Sequence, residues 1–311
     1  MGVADPVGTD RAVPTEDGVD LHVEVDECPG APVTVLMSHG FTAQLGEFAL
    51  QREALRGRAR VVVYDQRGHG RSPAGGWRHA TIDQLGRDLQ AVLAAEAATG
   101  PVVLLGHSMG GMAVMSWARQ FPDDVGSRVV GAFLLATSAQ NLVTGGPVGV
   151  MVKLLTRLHL LGLYLTLLRL WSPLLQHVKK PGTRLGRRWI KHYLFGTADA
   201  NDPVLVTEVQ AMLEATPFTT SAAFYPTFLT HDETAALPVL ARIPTTVLVG
   251  TADRLTPASH SRSMAADLGA QCELVLVPGC GHSVNVTRPG IVDDAITALL
   301  ARATSAQRQV G

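Results

Sequence analysis

Three residues far apart in the chain, Ser108, Asp253 and His282, have the types and the order needed to drive a hydroxyl onto a carbonyl carbon. A serine hydroxyl is too weak an acid to attack unaided. It needs an imidazole to take its proton and a carboxylate to orient that imidazole and balance its charge. Ser108 lies in Gly106-His107-Ser108-Met109-Gly110, behind the apolar run Val102–Leu105 and ahead of a helical stretch that begins near Met112 and runs to Phe121-Pro122. Gly-x-Ser-x-Gly between a strand and a helix holds serine on a turn too tight for side chains at the two glycines. The helix start also points free N–H groups at the place where an oxyanion would form. In a chain with 31 glycines the pentapeptide alone is a weak signal, so the other two residues must supply the specificity.

The first carboxylate after the apolar run Val129–Ala136 is Asp199, deep in a region of different character. The end of that strand is therefore a poor source of the acid. After the next apolar run, Thr245–Gly250, the first carboxylate is Asp253, on a loop where an uncompensated charge would be out of place. Beyond it lie two histidines. His260 falls inside the expected helix Ser259–Leu268 and reads as a surface residue. His282, in Pro278-Gly279-Cys280-Gly281-His282-Ser283, sits on a flexible loop past the strand Cys272–Val277. Such a loop can carry an imidazole across the strand ends. The order Ser, Asp, His is one of the known triad orders.

An oxyanion needs two donors. The backbone N–H of Met109, which follows the nucleophile, is one; that of Phe41, in Ser38-His39-Gly40-Phe41, is placed to be the other. His39, His69 and His107 read as structural loop histidines. Chemistry of this kind requires no cofactor and no metal.

Those residues need a frame that brings strand ends together. Buried apolar strands at Val33–Ser38, Arg60–Asp65, Val102–Leu105, Val129–Ala136, Thr245–Gly250 and Cys272–Val277 alternate with helices. The helices are expected at Phe48–Leu55, from Thr81, at Ser259–Leu268 and at Ile291–Ala303. Val19–Val25 alternates apolar and polar residues, as an edge strand would. The pattern implies an α/β fold, a mostly parallel sheet covered by helices on both faces. Residues 1–138 and 238–311 form its core. Residues 139–237 break the rhythm and read as an inserted helical cap. No Asp or Glu occurs between Asp124 and Asp199, whereas the cap part of that stretch holds nine Lys or Arg. Val148–Leu175 is rich in leucine, but its longest uncharged run, Leu158–Leu168, falls short of the roughly 17–25 residues of a spanning helix. Either its helices pack on the core with a solvated basic face, or they form an apolar lid whose basic residues favour anionic surfaces or lipid head groups.

The bulk numbers exclude other classes. A net charge of −1 gives no general attraction to nucleic acid, and 46% apolar with 17% charged residues describes a globular chain. Three scattered cysteines suit neither a disulfide framework nor a thiolate metal site. The first residues lack a basic then apolar leader, so the expected location is cytoplasmic.

At this point the chain resembles the alpha/beta-hydrolase superfamily, in its serine-nucleophile branch with an inserted helical cap. The resemblance rests on Ser38-His39-Gly40-Phe41, Asp65-x-Arg67-Gly68-His69-Gly70-x-Ser72, Gly106-His107-Ser108-Met109-Gly110-Gly111, Gly250-x-x-Asp253 and Gly281-His282. It implies Ser108 as nucleophile, His282 as base and then acid, Asp253 as orienting acid, and Asp65 and Arg67 as braces of the loops. The expected activity is hydrolysis of carboxylic esters, small molecules with an apolar acyl chain such as a monoacylglycerol or lysolipid. Carbon–carbon bond hydrolysis, perhydrolysis and acyl transfer use the same triad. A small-ligand receptor that retains it is a rival of another class.

Overall fold

The structure, a computed structural model, describes residues 8–140, 142, 151, 154–178, 182–196 and 202–310. Its strands are β1 (Thr9–Pro14), β2 (Asp20–Asp26), β3 (Thr34–Ser38), β4 (Arg60–Tyr64), β5 (Val102–His107), β6 (Val129–Leu135), β7 (Thr245–Gly250) and β8 (Cys272–Val277). They form a sheet in the order β1-β2-β4-β3-β5-β6-β7-β8. β1 and β2 run antiparallel, and β3 to β8 run parallel. Every residue of β3, β5, β6 and β7 is buried, which is why their sequences are almost unbroken apolar runs.

Register aligns the carboxyl ends. Ser38 pairs with Gly106, His107 with Leu135, Leu135 with Leu248, and Gly250 with Val277. Loops leaving β3, β5, β7 and β8 therefore meet at one rim.

Helices α1 (Ala49–Leu55), α2 (Ile82–Glu96) and α3 (Met109–Gln120) follow the early strands. Leu85, Leu89 and Trp117 of α2 and α3 enter the apolar core on one face of the sheet. Phe48, Leu55, Ile296 and Leu299 enter the core on the other. Each fully buried side chain of this size contributes about 1.5–3 kcal/mol. At the start of α2, Thr81 Oγ1 accepts from Gln84 N at 3.1 Å, but the Gln84 side chain donates to Asp88 instead of returning to Thr81. Thr81 and Gln84 thus form only half of a capping box.

Four elements differ from the sequence reading. β1 lies outside β2, so Val19–Val25 is not at the edge; β1 buries only Val13, leaving no periodic trace. α3 starts at Met109, not Met112, because β5 continues through His107 and Ser108 alone makes the turn. The last helix spans Pro289–Val310, beyond the expected Ile291–Ala303. His260 is not a simple surface residue: its Nδ1 lies 2.9 Å from Ser138 Oγ, and partial burial lowers its pKa.

Between β6 and β7, within residues 139–237, run α4 (Leu161–Val178), α5 (Arg184–Tyr193), α6 (Pro203–Ala215) and α7 (Phe218–Leu229). Thr183 caps α5 by accepting from Gly186 N, and Asp202 caps α6 by accepting from Val204 N and Leu205 N. α5 and α6 share a small core of Ile190, Leu194, Phe195, Val206 and Val209. Parts of the leucine-rich stretch Val148–Leu175, and Lys153, Lys179, Lys180 and Asp199, lie outside the described residues.

Candidate active site

Ser108 occupies the single-residue turn between β5 and α3 with φ 52° and ψ −116°. That is a strained conformation for a residue with a side chain, costing on the order of 1–3 kcal/mol. Close approach explains the flanking glycines. A Cβ at Gly110 would overlap the Ser38 carbonyl, and one at Gly106 would overlap the Gly110 carbonyl. The turn is locked because β3 and α3 press on it from both sides.

Asp253 follows β7, and its carboxylate is fully engaged. Oδ1 accepts from Leu255 N at 2.8 Å and Thr256 N at 3.0 Å; Oδ2 accepts from Thr256 Oγ1 at 2.8 Å and faces His282 Nδ1 at 2.8 Å. Burial alone would raise this carboxyl, but the His282 imidazole and the Thr256 donors outweigh it and hold Asp253 below the ordinary carboxylate range. The contact assigns the His282 proton to Nδ1. It leaves Nε2 without a hydrogen bond among the described residues. Thr256 escapes the sequence reading, although an aspartate that bonds the backbone two residues on, at Leu255, makes a side-chain turn that brings Thr256 to the carboxylate.

Ser108 and His282 line one cavity of about 280 Å³, together with Phe41 and Met109. Neither the Phe41 nor the Met109 N–H has a hydrogen-bond partner among the described residues. The structure thus brings all five expected groups to one rim. Opposite them stand Leu194, Val209, Met212, Leu213, Tyr225 and Phe228 of the helices between β6 and β7. The His282 loop is tied to those helices, because Ser283 N donates to the Leu194 carbonyl at 3.0 Å.

The remaining histidines divide. His39 is buried, with Nδ1 2.8 Å from the Gly40 carbonyl and Nε2 accepting from Gln66 N at 2.9 Å. Burial lowers its pKa, so a neutral ring with both nitrogens occupied cannot serve as a base. Burial likewise pushes His69 down to about 3. His107 is different. Its Nδ1 lies 2.9 Å from Glu47 Oε1, and Glu47, buried beside the rim, has no role in the sequence reading.

Asp65 and Arg67 hold the loop after β4. Asp65 accepts from Leu45 N at 2.8 Å and Arg71 N at 2.9 Å, and its Oδ2 is 2.9 Å from His22 Nδ1. Arg67 forks onto both oxygens of Asp88 at 2.6 Å and reaches Asp17 at 2.8 Å. Neither lines the cavity.

Residues 28–295 match the alpha/beta hydrolase family. Over 83% of its length the chain is 26% identical to a pimeloyl-[acyl-carrier protein] methyl ester esterase of Xylella fastidiosa, covering 91% of that protein. It is 37% identical over 113 residues to the lipase LipV of Mycobacterium tuberculosis, 36% of this chain and 41% of LipV. With several curated relatives of higher identity the chain shares only about two fifths of their length. Among solved structures, a thermophilic esterase from Thermogutta terrifontis superimposes with a TM-score of 0.73 at 25% identity, over 95% of this chain and 99% of that one. An enol-lactonase from Burkholderia xenovorans LB400 does so with a TM-score of 0.72 at 23% identity, over 94% and 100%, a likeness of fold.

Proposed function

The chain belongs to the alpha/beta hydrolase family, and from that premise we propose that it hydrolyses carboxylic esters through an acyl-enzyme on Ser108. His282 Nε2 takes the hydroxyl proton as Ser108 Oγ attacks the ester carbonyl. The Phe41 and Met109 N–H groups donate to the oxyanion, and Asp253 stays ionised to balance the imidazolium. His282 then protonates the departing alcohol, and a water activated by the same imidazole releases the acid. The observation that carries this reading is the meeting, in one cavity, of a strained serine, an imidazole paired with a buried carboxylate, and two amides with no other partner among the described residues.

The test is Ser108→Ala. Ester turnover should fall by up to about 10⁶-fold, and labelling by a fluorophosphonate should vanish while the circular dichroism spectrum is kept. Labelling that persists in the variant refutes the assignment of the nucleophile.

Apolar side chains opposite Ser108 favour an ester with an apolar acyl chain. A cavity of about 280 Å³ stands at the small end of the roughly 300–1,000 Å³ usual for ligand sites. On p-nitrophenyl esters, kcat/KM should therefore rise with acyl length to about eight carbons and then fall. A flat series removes this preference.

The lipid character extends to the outer surface. Leu163, Leu167, Leu170, Trp171 and Leu174 of α4 share one helical face and are all exposed, Leu170 by 70%. Arg157 precedes the helix and Lys179-Lys180 follow it in the sequence. An outward apolar stripe with basic flanks supports contact with an anionic lipid surface. Three cysteines in the whole chain support a reducing, cytosolic setting.

A further inference from the structure

The reaction above leaves Glu47 without a task, yet its carboxylate is buried between two parts of the machinery. Oε2 accepts from Gly40 N at 2.9 Å, which fixes the peptide unit just before the Phe41 N–H. Oε1 lies 2.9 Å from His107 Nδ1, off the hydrogen-bond direction, so charge joins them more than directionality. On its other side, His107 Nε2 lies 3.3 Å from the main-chain carbonyl of His282. A carbonyl only accepts, so Nε2 carries a proton. With a carboxylate beside Nδ1 and a carbonyl at Nε2, the ring is surrounded by acceptors, which favours its charged form.

We infer that Glu47 and His107 form a charged strut between the oxyanion loop and the loop of the base, with Glu47 as a positioning residue for the attack by Ser108. This rests on the serine-hydrolase reading given above. At one end the strut holds the Gly40 N–H, next to the amide that receives the oxyanion, and at the other the backbone of the imidazole that moves the proton. A second tie runs alongside: Asn285 Nδ2, three residues past His282, donates to the Glu47 carbonyl at 3.2 Å. Directions of titration agree with the geometry. Burial favours neutral His107, but the Glu47 charge outweighs it and raises the ring; burial would raise Glu47, but His107 and the Gly40 N–H hold it down. An apolar pair of similar volume could fill this space at no cost in stability. A charged pair instead fixes where its acceptors and donors stand.

Three variants of the full chain, Glu47→Gln, His107→Gln and the double, test the strut on p-nitrophenyl acetate, with active sites counted by fluorophosphonate titration. Each single variant should lower kcat per active site by about hundredfold, the scale of a displaced reacting group. KM for this short ester should stay within about twofold: Glu47 and His107 line the cavity beside Gly40 and Ser108, and the acetyl group does not depend on its apolar wall of Met212, Leu213, Tyr225 and Phe228. The double variant should lose no more than the worse single one, since either change breaks the same link. A purely structural pair would lower Tm and leave kcat per active site unchanged, and that result overturns the inference. Losses that multiply in the double variant overturn it too. Should Glu47→Gln not fold, His107→Gln decides alone, because it keeps the carboxylate on Gly40. A wild-type chain that neither labels nor turns over ester would sink the serine assignment itself, a failure visible before any variant is made.

Discussion

The strand-end rim and the helices between β6 and β7 treat polarity in opposite ways. At the rim, buried charges are matched: Asp253 with His282, Glu47 with His107, and Arg67 with Asp88. In α4 the outward face is apolar, with Leu163 57% and Trp171 56% exposed. One region holds its buried charges in place by pairing each with an opposite or accepting group. The other leaves surface that only a partner or a lipid would cover. On the proposed function, chemistry belongs to the first, and the second is left for contact with something outside the molecule. Changes at the rim should therefore destroy rate or fold, while changes on the outer face of α4 should spare both.

The sharpest contrast is expected at Asp253, the orienting acid of the proposed mechanism. Asp253→Asn keeps the shape but removes the charge that fixes the His282 tautomer, and kcat should fall by about 10⁴-fold at neutral pH. The same carboxylate has a signature in stability. Burial would raise its pKa, yet His282 and the Thr256 donors depress it. Its contribution is thus fully present above the unfolded carboxylate range near about pH 4 and is lost as pH falls through the lower folded value. Acid titration of Tm should show a steeper loss for the wild type than for Asp253→Asn. Equal slopes would mean that the pair adds nothing to the fold.

Next in size is Gly110→Ala. The added methyl would enter the space of the Ser38 carbonyl, and neither β3 nor α3 can withdraw without parting the sheet. A loss of more than about 4 kcal/mol is expected, read as insoluble protein or a collapsed denaturant midpoint. A stable, active variant would show that the turn is looser than its packing implies.

Much of the rim is legible in the sequence, for a mechanical reason. Ser108, Asp253 and His282 each follow a strand whose unbroken apolar run marks where the chain leaves the sheet, so their meeting follows from parallel order. Phe41 and Met109 are legible because they flank two such exits. Glu47 is not: a buried carboxylate leaves no periodic trace, and its partner His107 sits in a position that many side chains could fill. β1 hides because Val13 is its only buried residue. The order of helices α4 to α7 is equally hidden, since leucine-rich sequence does not say which face turns inward.

A weaker effect, of about 3 kcal/mol, is expected for Asp88→Ala, at the low end for breaking a buried pair because Asp17 still faces Arg67 at 2.8 Å. Denaturant unfolding should record it, while ester turnover per folded molecule stays near the wild-type value. Turnover that fell without a loss of stability would move the Arg67 loop from brace to participant.

The smallest effect on the enzyme should come from Leu167→Glu with Leu170→Glu. Both side chains are exposed, so stability should stay within about 0.5 kcal/mol and hydrolysis of p-nitrophenyl acetate should not change. Binding to vesicles containing phosphatidylglycerol should nevertheless drop sharply, because two carboxylates would face the head groups where two apolar side chains had entered. Wild-type binding should weaken with added salt, as screening cuts the attraction of Arg157 and its basic neighbours, and should be poorer on vesicles of phosphatidylcholine alone. Absence of wild-type binding to either vesicle, or a dimer that the double variant dissolves, would give the outer face of α4 to a protein partner instead. The contrast between the two regions would then hold with a different occupant: the rim would still be closed upon itself, and the stripe would still be a surface completed from outside.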